Sequence, residues 1–80
     1  MEYLKDKALL EAFGNNLRRL RKEKGFTQEK LAFEIGIEIS QISRIERGIL
    51  NTSVSTANAI SKALKVPIRE LFDFDRDRLS

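Results

Sequence analysis

The residue types that this chain lacks are those on which most enzyme and metal chemistry depends. Its 80 residues include no cysteine and no histidine. Disulfides and thiolate metal sites are therefore excluded, together with the commonest general base and the commonest transition-metal ligand. Only carboxylates, lysines, hydroxyls and one tyrosine remain for catalysis. We expect no enzyme activity, no catalytic residue, no metal and no cofactor.

Long apolar segments are also missing. No run approaches the roughly 18 residues that a membrane-spanning helix needs. The N-terminal sequence MEYLKDKALLEAF is too charged for a secretory signal. A cytoplasmic protein with no membrane association is the expectation that follows.

Apolar residues recur at helical spacing along most of the chain. Hydrophobic residues are 41% of the total, which is enough for a core and argues against disorder. Leu10, Phe13, Leu17 and Leu20 follow a 3-4-3 spacing, which forms one apolar stripe on a helix. No stretch alternates with period two for long enough to indicate a strand. The pattern predicts an all-α fold, a five-helix bundle, in one domain spanning residues 1–80.

Residues typical of helix ends divide the chain into these five helices. Thr27 and Ser53 are expected to cap the second and fourth helices, because a hydroxyl can accept a backbone N–H. Pro67, a residue favoured in a first turn, opens a short fifth helix. Glycines close the first three helices, at Gly25, Gly36 and Gly48. The stripe of the fourth helix is predicted as Val54, Ala57, Ile60 and Leu64.

The most informative segment runs from Gln28 to Arg47, QEKLAFEIGIEISQISRIER. Ala32 lies four residues before Gly36, and Ile42 lies six residues after it. This is the spacing of a helix-turn-helix, in which one helix supports a second against DNA. A small residue suits the close helix crossing, and glycine accepts the left-handed turn. The segment therefore predicts a DNA-binding motif.

Charge is distributed unevenly although the net charge is only +3. Residues 18–24, RRLRKEK, carry five positive charges and one negative charge. Such a cluster suits a polyanionic partner. The alternative is an ordinary solvated helix face.

These segments resemble the Cro/repressor type of helix-turn-helix domain, also called the xenobiotic-response-element family. The likeness covers about residues 13–72, with 1–12 as an extension and 73–80 as a tail. Its most specific motifs are GFTQEKLA, ISRIERG and ALKVPIRELF. The resemblance implies a lambda-repressor-like domain of five helices, usually dimeric, whose third helix enters the major groove. The chain length is similar to that of restriction–modification controller proteins.

The chain departs from the family pattern at three positions. Glu38 stands where Ser or Thr commonly caps the third helix, and glutamate caps poorly. Either Ser40 takes that role or the helix begins loosely. Thr52 replaces a common proline, which should loosen the approach to the fourth helix, and Lys65 replaces a frequent glycine, so the turn after the fourth helix is expected to differ.

Backbone and polar groups around the second helix are candidates for phosphate contacts. A helix N-terminus binds anions, and the second helix offers one at Thr27 and Gln28. The resemblance assigns a phosphate contact to Gln28, although it could be an ordinary first-turn residue. It also pairs Arg21 with Glu46, and Arg21 could still reach a phosphate. In the loop after the third helix, Arg47, Asn51 and Thr52 are further candidates, with Asn51 otherwise a simple turn residue.

The exposed front of the third helix is predicted to contact base edges. Arg44 can donate two hydrogen bonds to guanine, or else contacts phosphate or solvent. Ile39 either contacts a thymine methyl group or packs against the second helix. Gln41 either pairs with adenine or lies to one side. The polar candidates of modest weight are Ser40 and Ser43.

A single recognition helix reads only about four or five base pairs, so a dimer on an inverted repeat is expected. Candidate interface residues near the C-terminus are Leu71, Phe72, Phe74 and Leu79. Phe74 could instead dock onto the first helix of its own chain. Tyr3 and Leu4 are a second, weaker option.

The sequence thus predicts a homodimeric, sequence-specific regulator of transcription, a repressor or autoregulator, that binds double-stranded DNA. The alternative is a protein-interaction module, such as an antitoxin, motivated by Phe74 and the charged tail. A protein partner that survives nuclease treatment would favour that alternative.

Overall fold

A side chain just before α1, α2 and α4 accepts one of the free backbone N–H groups of the helix and so helps to determine where the helix begins. In the computed structural model, which describes residues 5–74, Asp6, Thr27 and Ser53 each accept the backbone N–H three positions later, at 3.0–3.1 Å. The predicted caps Thr27 and Ser53 are confirmed. The elements are α1 (Lys7–Glu23), α2 (Gln28–Ile35), α3 (Ile39–Glu46), α4 (Val54–Leu64) and a C-terminal 3₁₀ turn (Ile68–Phe72).

The all-α class is confirmed, but the described residues contain four α-helices rather than five. The predicted fifth helix is the C-terminal turn, in which the backbone N–H of Glu70 donates to Pro67 O at 2.9 Å. This i to i+3 pattern is that of a 3₁₀ helix. Only five residues separate Pro67 from Asp73, which is too short for a stable α-helix.

Glu38, and not Ser40, occupies the N-cap position of α3. Ser40 lies inside the helix, so the suggestion that it caps α3 is wrong. The Oε1 atom of Gln41 accepts the backbone N–H of Glu38 at 3.2 Å, which is the return bond of a capping box. A residue three positions into α3 thus compensates for an unfavourable cap residue.

Two glycines position α3, one at the turn between α2 and α3 and one where α1 crosses α3. Gly36 has φ +76°, and its N–H donates to Ala32 O at 2.9 Å, which ends α2 in the left-handed conformation. Gly14 lies within α1 where it crosses α3. A Cβ at this position would collide with the carbonyl oxygens of Ile45 and Glu46. The absence of a side chain at Gly14 therefore lets α1 approach the C-terminal end of α3.

The core receives apolar side chains from all five elements. Val54 is an exception to the predicted stripe of α4, because 82% of it is exposed. As the first residue of α4 it faces outward, although Ala57, Ile60 and Leu64 point inward as predicted. The buried hydrophobic residues are Phe13, Leu17, Leu20, Leu31, Ala32, Ile42, Ile45, Ala57, Ile60, Leu64 and Leu71.

Candidate nucleic-acid interface

The two sides of α3 differ sharply in burial. Ile42 and Ile45 are buried against the other helices, at 0% and 2% exposure. Ile39, Ser40, Gln41 and Arg44 are exposed, and Ser43 is half-buried. The short helix is therefore held by its apolar side and presents its polar side outward. Ile39 keeps 46% of its surface exposed, so an apolar contact is available at the front of the helix.

A buried ionic network connects α1, α2 and α3 behind this surface. Arg21 Nε donates to Glu46 Oε2 at 2.6 Å, and Arg21 Nη2 donates to Glu46 Oε1 at 3.1 Å. The predicted pair is confirmed, and its side chains are only 8% and 2% exposed. Arg21 Nη1 also donates to Phe26 O at 2.7 Å. With three donors engaged and little surface exposed, Arg21 has limited freedom to reach a phosphate.

Gln28 joins this network at the first turn of α2. Its Nε2 atom donates to Glu46 Oε1 at 2.9 Å, so its side chain is fixed between α2 and α3. Thr27 is exposed, and its hydroxyl caps the helix. The first N–H groups of an α-helix have no acceptor within that helix. The start of α2 thus combines free backbone donors with an orientation fixed by Glu46.

The loop after α3 is held against α1. Gly48 packs closely on Glu11, where a Cβ would collide with the backbone of α1. Lys5 Nζ donates to Ile49 O at 3.1 Å, a contact that sequence reasoning missed. Arg47 and Asn51 are exposed and Thr52 is half-buried. The loop therefore presents polar groups beside α3 on a supported backbone.

The predicted dimer residues have different surroundings. Leu71 is fully buried in the core of its own chain, so its side chain has no surface to offer a second copy. Phe74 is half-buried against the same core, as in the alternative in which it docks on its own chain. Phe72 remains 48% exposed, and its ring lies 5.0 Å from that of Phe13. Leu79, Tyr3 and Leu4 lie outside the described residues.

An apolar groove lies beside Phe72, between the first turns of α1 and α4. Its walls include Leu9, Leu10, Val54 and Phe72. Of these, Val54 and Phe72 are the most exposed. Sequence reasoning identified Phe72 but missed Val54, which it assigned to the core.

Asn16 is a further residue that sequence reasoning missed. It lies on the apolar side of α1 and is only 6% exposed. Its side chain bonds to the backbone of the C-terminal turn. The available signal was its position three residues after Phe13 and one before Leu17, beside the apolar stripe. A buried amide requires hydrogen-bond partners, so this position indicated a polar contact to another part of the chain.

Neither metal chemistry nor membrane insertion has a candidate site in residues 5–74. No cluster of three or more acidic side chains in this range could hold a metal ion. None of the helices in the same range is long and apolar enough to cross a membrane.

Comparisons with known proteins agree with this geometry. The helix-turn-helix family model HTH_3 matches residues 17–71. Control protein C.BamHI from Bacillus amyloliquefaciens is 46% identical over 63 residues, which is 78% of each chain. The restriction–modification controller protein C.AhdI from Aeromonas hydrophila has a similar structure, with 43% identity and a TM-score of 0.79 over 81% of this chain and 98% of that one. The controller protein C.Esp1396I, solved as a tetramer with its natural operator, gives 32% identity and a TM-score of 0.72 over 89% and 88%.

Proposed function

Since this chain belongs to the helix-turn-helix family HTH_3, we propose that it is a transcription regulator that binds specific double-stranded DNA as a homodimer. The third helix, α3, enters the major groove. In this proposal the regulator acts as a repressor or autoregulator. The proposal includes a cytoplasmic location, where a regulator of this kind meets its DNA.

One observation supports this function above the others, namely the opposite burial of the two sides of α3. Ile42 and Ile45 fix the helix in the core, while Ser40 and Arg44 extend outward from it. A protruding α-helix with a polar outer side fits the major groove, which is about 12 Å wide. Arg44 is the main base contact, because its guanidinium can donate two hydrogen bonds to guanine O6 and N7.

Phosphate contacts on both sides of α3 orient it in the groove. The N-terminus of α2, with Thr27 and Gln28, binds one phosphate through free backbone N–H groups. On the other side of α3, the DNA sugar-phosphate backbone is contacted by Arg47, Asn51 and Thr52. Such contacts determine orientation and affinity, whereas base contacts determine specificity.

Dimerisation doubles the length of DNA that is read. The exposed apolar surface of Val54 and Phe72, beside the groove between α1 and α4, forms the interface between copies. A two-fold dimer on an inverted repeat places its recognition helices about 34 Å apart, one turn of DNA. C.Esp1396I is a tetramer on its operator, so binding of two dimers to adjacent sites is compatible with this arrangement.

Selection of bound duplexes from a random pool tests this function directly. We expect an enriched inverted repeat, and a steep fall in affinity with salt, because each neutralised phosphate releases counterions. If no sequence is enriched, and no duplex binds at low ionic strength, the proposed function is wrong.

Substitution of Arg44 tests the base contact. Arg44→Ala is expected to weaken binding to the selected duplex by about 1–3 kcal/mol, with a much smaller effect on a scrambled duplex. Fluorescence anisotropy with both duplexes measures the difference. Lys62→Ala, which removes an exposed cation from α4, is the control and should leave specificity unchanged. Equal weakening on both duplexes would mean that Arg44 contacts only phosphate.

A further inference from the structure

The buried amide of Asn16 connects α1 to the C-terminal turn. Its Nδ2 atom donates to Glu70 O at 2.7 Å and to Leu71 O at 2.9 Å. Its Oδ1 atom accepts from Arg19 Nη2 at 2.7 Å. An asparagine amide has two N–H donors on one nitrogen, and here both donate to consecutive backbone carbonyls.

These bonds hold the last residues of the C-terminal turn against α1. The last carbonyls of a helix have no partner within it, and buried carbonyls therefore need a hydrogen-bond donor from elsewhere. Asn16 supplies a donor for Leu71 O and a second donor for Glu70 O, which also accepts from the backbone N–H of Asp73 at 3.3 Å. The next residue is Phe72, whose ring packs 5.0 Å from Phe13, three residues before Asn16 on α1. One side of α1 thus fixes both the backbone and the ring at the end of the turn.

We propose that Asn16 is a positioning residue for dimerisation. By holding the carbonyls of Glu70 and Leu71, it keeps Leu71 in the core and Phe72 at the surface, where Phe72 contacts the second copy. This inference depends on the proposed homodimer. It assigns Asn16 no contact with DNA, since Asn16 is buried and its hydrogen bonds go to the C-terminal turn and Arg19.

The test compares dimerisation with DNA binding by one subunit. Asn16→Asp keeps the shape but puts a carboxylate oxygen against two carbonyl oxygens. Asn16→Ser is a milder variant that keeps a single donor. The control is Leu31→Val, which removes a methylene from the core at α2, away from the turn. For each, analytical ultracentrifugation measures dimer dissociation, anisotropy measures binding to a single half-site, and thermal unfolding measures stability.

We expect Asn16→Asp to weaken dimerisation by about tenfold or more, from the loss of two hydrogen bonds. Asn16→Ser should have a smaller effect, and both should leave half-site affinity within about twofold of the native value. If the Asn16 variants reduce dimerisation no more than Leu31→Val does at equal loss of stability, Asn16 is only structural and the proposal is overturned. If Asn16→Asp does not fold, the same comparison is made with Asn16→Ser. A native chain that stays monomeric on its operator would instead refute the homodimer itself.

Discussion

The wedge of α2 and α3 and the C-terminal region from α4 onward use different means to hold exposed functional side chains. Behind the wedge, Arg21, Glu46 and Gln28 form a charged, buried network. In the C-terminal region, apart from apolar packing, a neutral amide, that of Asn16, bonds the C-terminal turn to α1. The wedge turns at Gly36, which accepts a positive φ without strain, whereas the turn after α4 places Lys65 at φ +58°. The proposed DNA-reading region thus combines a buried charged network with an unstrained turn, and the proposed dimer region combines a neutral amide with a strained turn.

The largest effect on stability is expected when a charge is removed from the buried network. Glu46→Gln leaves the Arg21 guanidinium without a counter-charge at a site where both side chains are under a tenth exposed. We expect the free energy of unfolding to fall by about 3–5 kcal/mol, measured by urea denaturation. Breaking one partner of a buried pair is costly because the remaining charge stays desolvated.

The matched control is an exposed ion pair on α1. Arg19 Nη1 and Glu23 Oε2 are 2.9 Å apart, but their side chains are 51% and 55% exposed. Glu23→Gln is therefore expected to change stability by less than about 0.5 kcal/mol. If both glutamine variants lose the same free energy of unfolding, burial does not distinguish the two ion pairs. The conclusion that a buried charged network holds the wedge would then be wrong.

The next largest effect concerns the turn of the wedge. Gly36→Ala places a Cβ in the left-handed region, at a site with open space around it. The cost is therefore backbone strain alone, about 1–2 kcal/mol of unfolding free energy. Urea denaturation of Gly36→Ala therefore measures the strain of the turn without a loss of core contacts. Ala32→Gly, in the same motif, would instead remove a buried methyl group from the core. A neutral result would show that the turn relaxes and that the wedge is not rigid there.

The parts of the molecule that sequence predicted correctly are those in which nearby residues determine the outcome. The caps Thr27 and Ser53 act on residues three positions away, and the left-handed turn at Gly36 depends on glycine itself. The Arg21–Glu46 pair spans 25 positions and was predicted from the family resemblance instead of local rules. Local patterns and a known motif are therefore sufficient to locate the α2–α3 wedge in the sequence.

Apart from the cap of α3, where Ser40 was one of two suggestions, the errors concern the C-terminal region, where tertiary contacts decide the outcome. Val54 fits a helical stripe, but the first residue of a helix can lie beyond the edge of the core, and 82% of Val54 is exposed. Leu71 was predicted at an interface because it is apolar and near the end, yet it is fully buried. The partners of Asn16 lie 54 and 55 positions away, a separation that periodicity does not detect. The contact residues proposed for DNA remain predictions.

The smallest expected effect, and the only gain in stability, comes from the strained turn of the C-terminal region. Lys65→Gly removes the Cβ from the left-handed position after α4, where Lys65 is exposed and its N–H donates to Lys62 O at 3.2 Å. Relief of strain is partly offset by the greater entropy of glycine in the unfolded chain, so we expect a gain of less than about 1 kcal/mol. Thermal unfolding measures it, with Lys62→Gly as a control that should lose stability because glycine is unfavourable within a helix. A loss with Lys65→Gly would mean that the lysine side chain stabilises this turn by more than its backbone strain costs, and the two turns would then be equally well adapted to their residues.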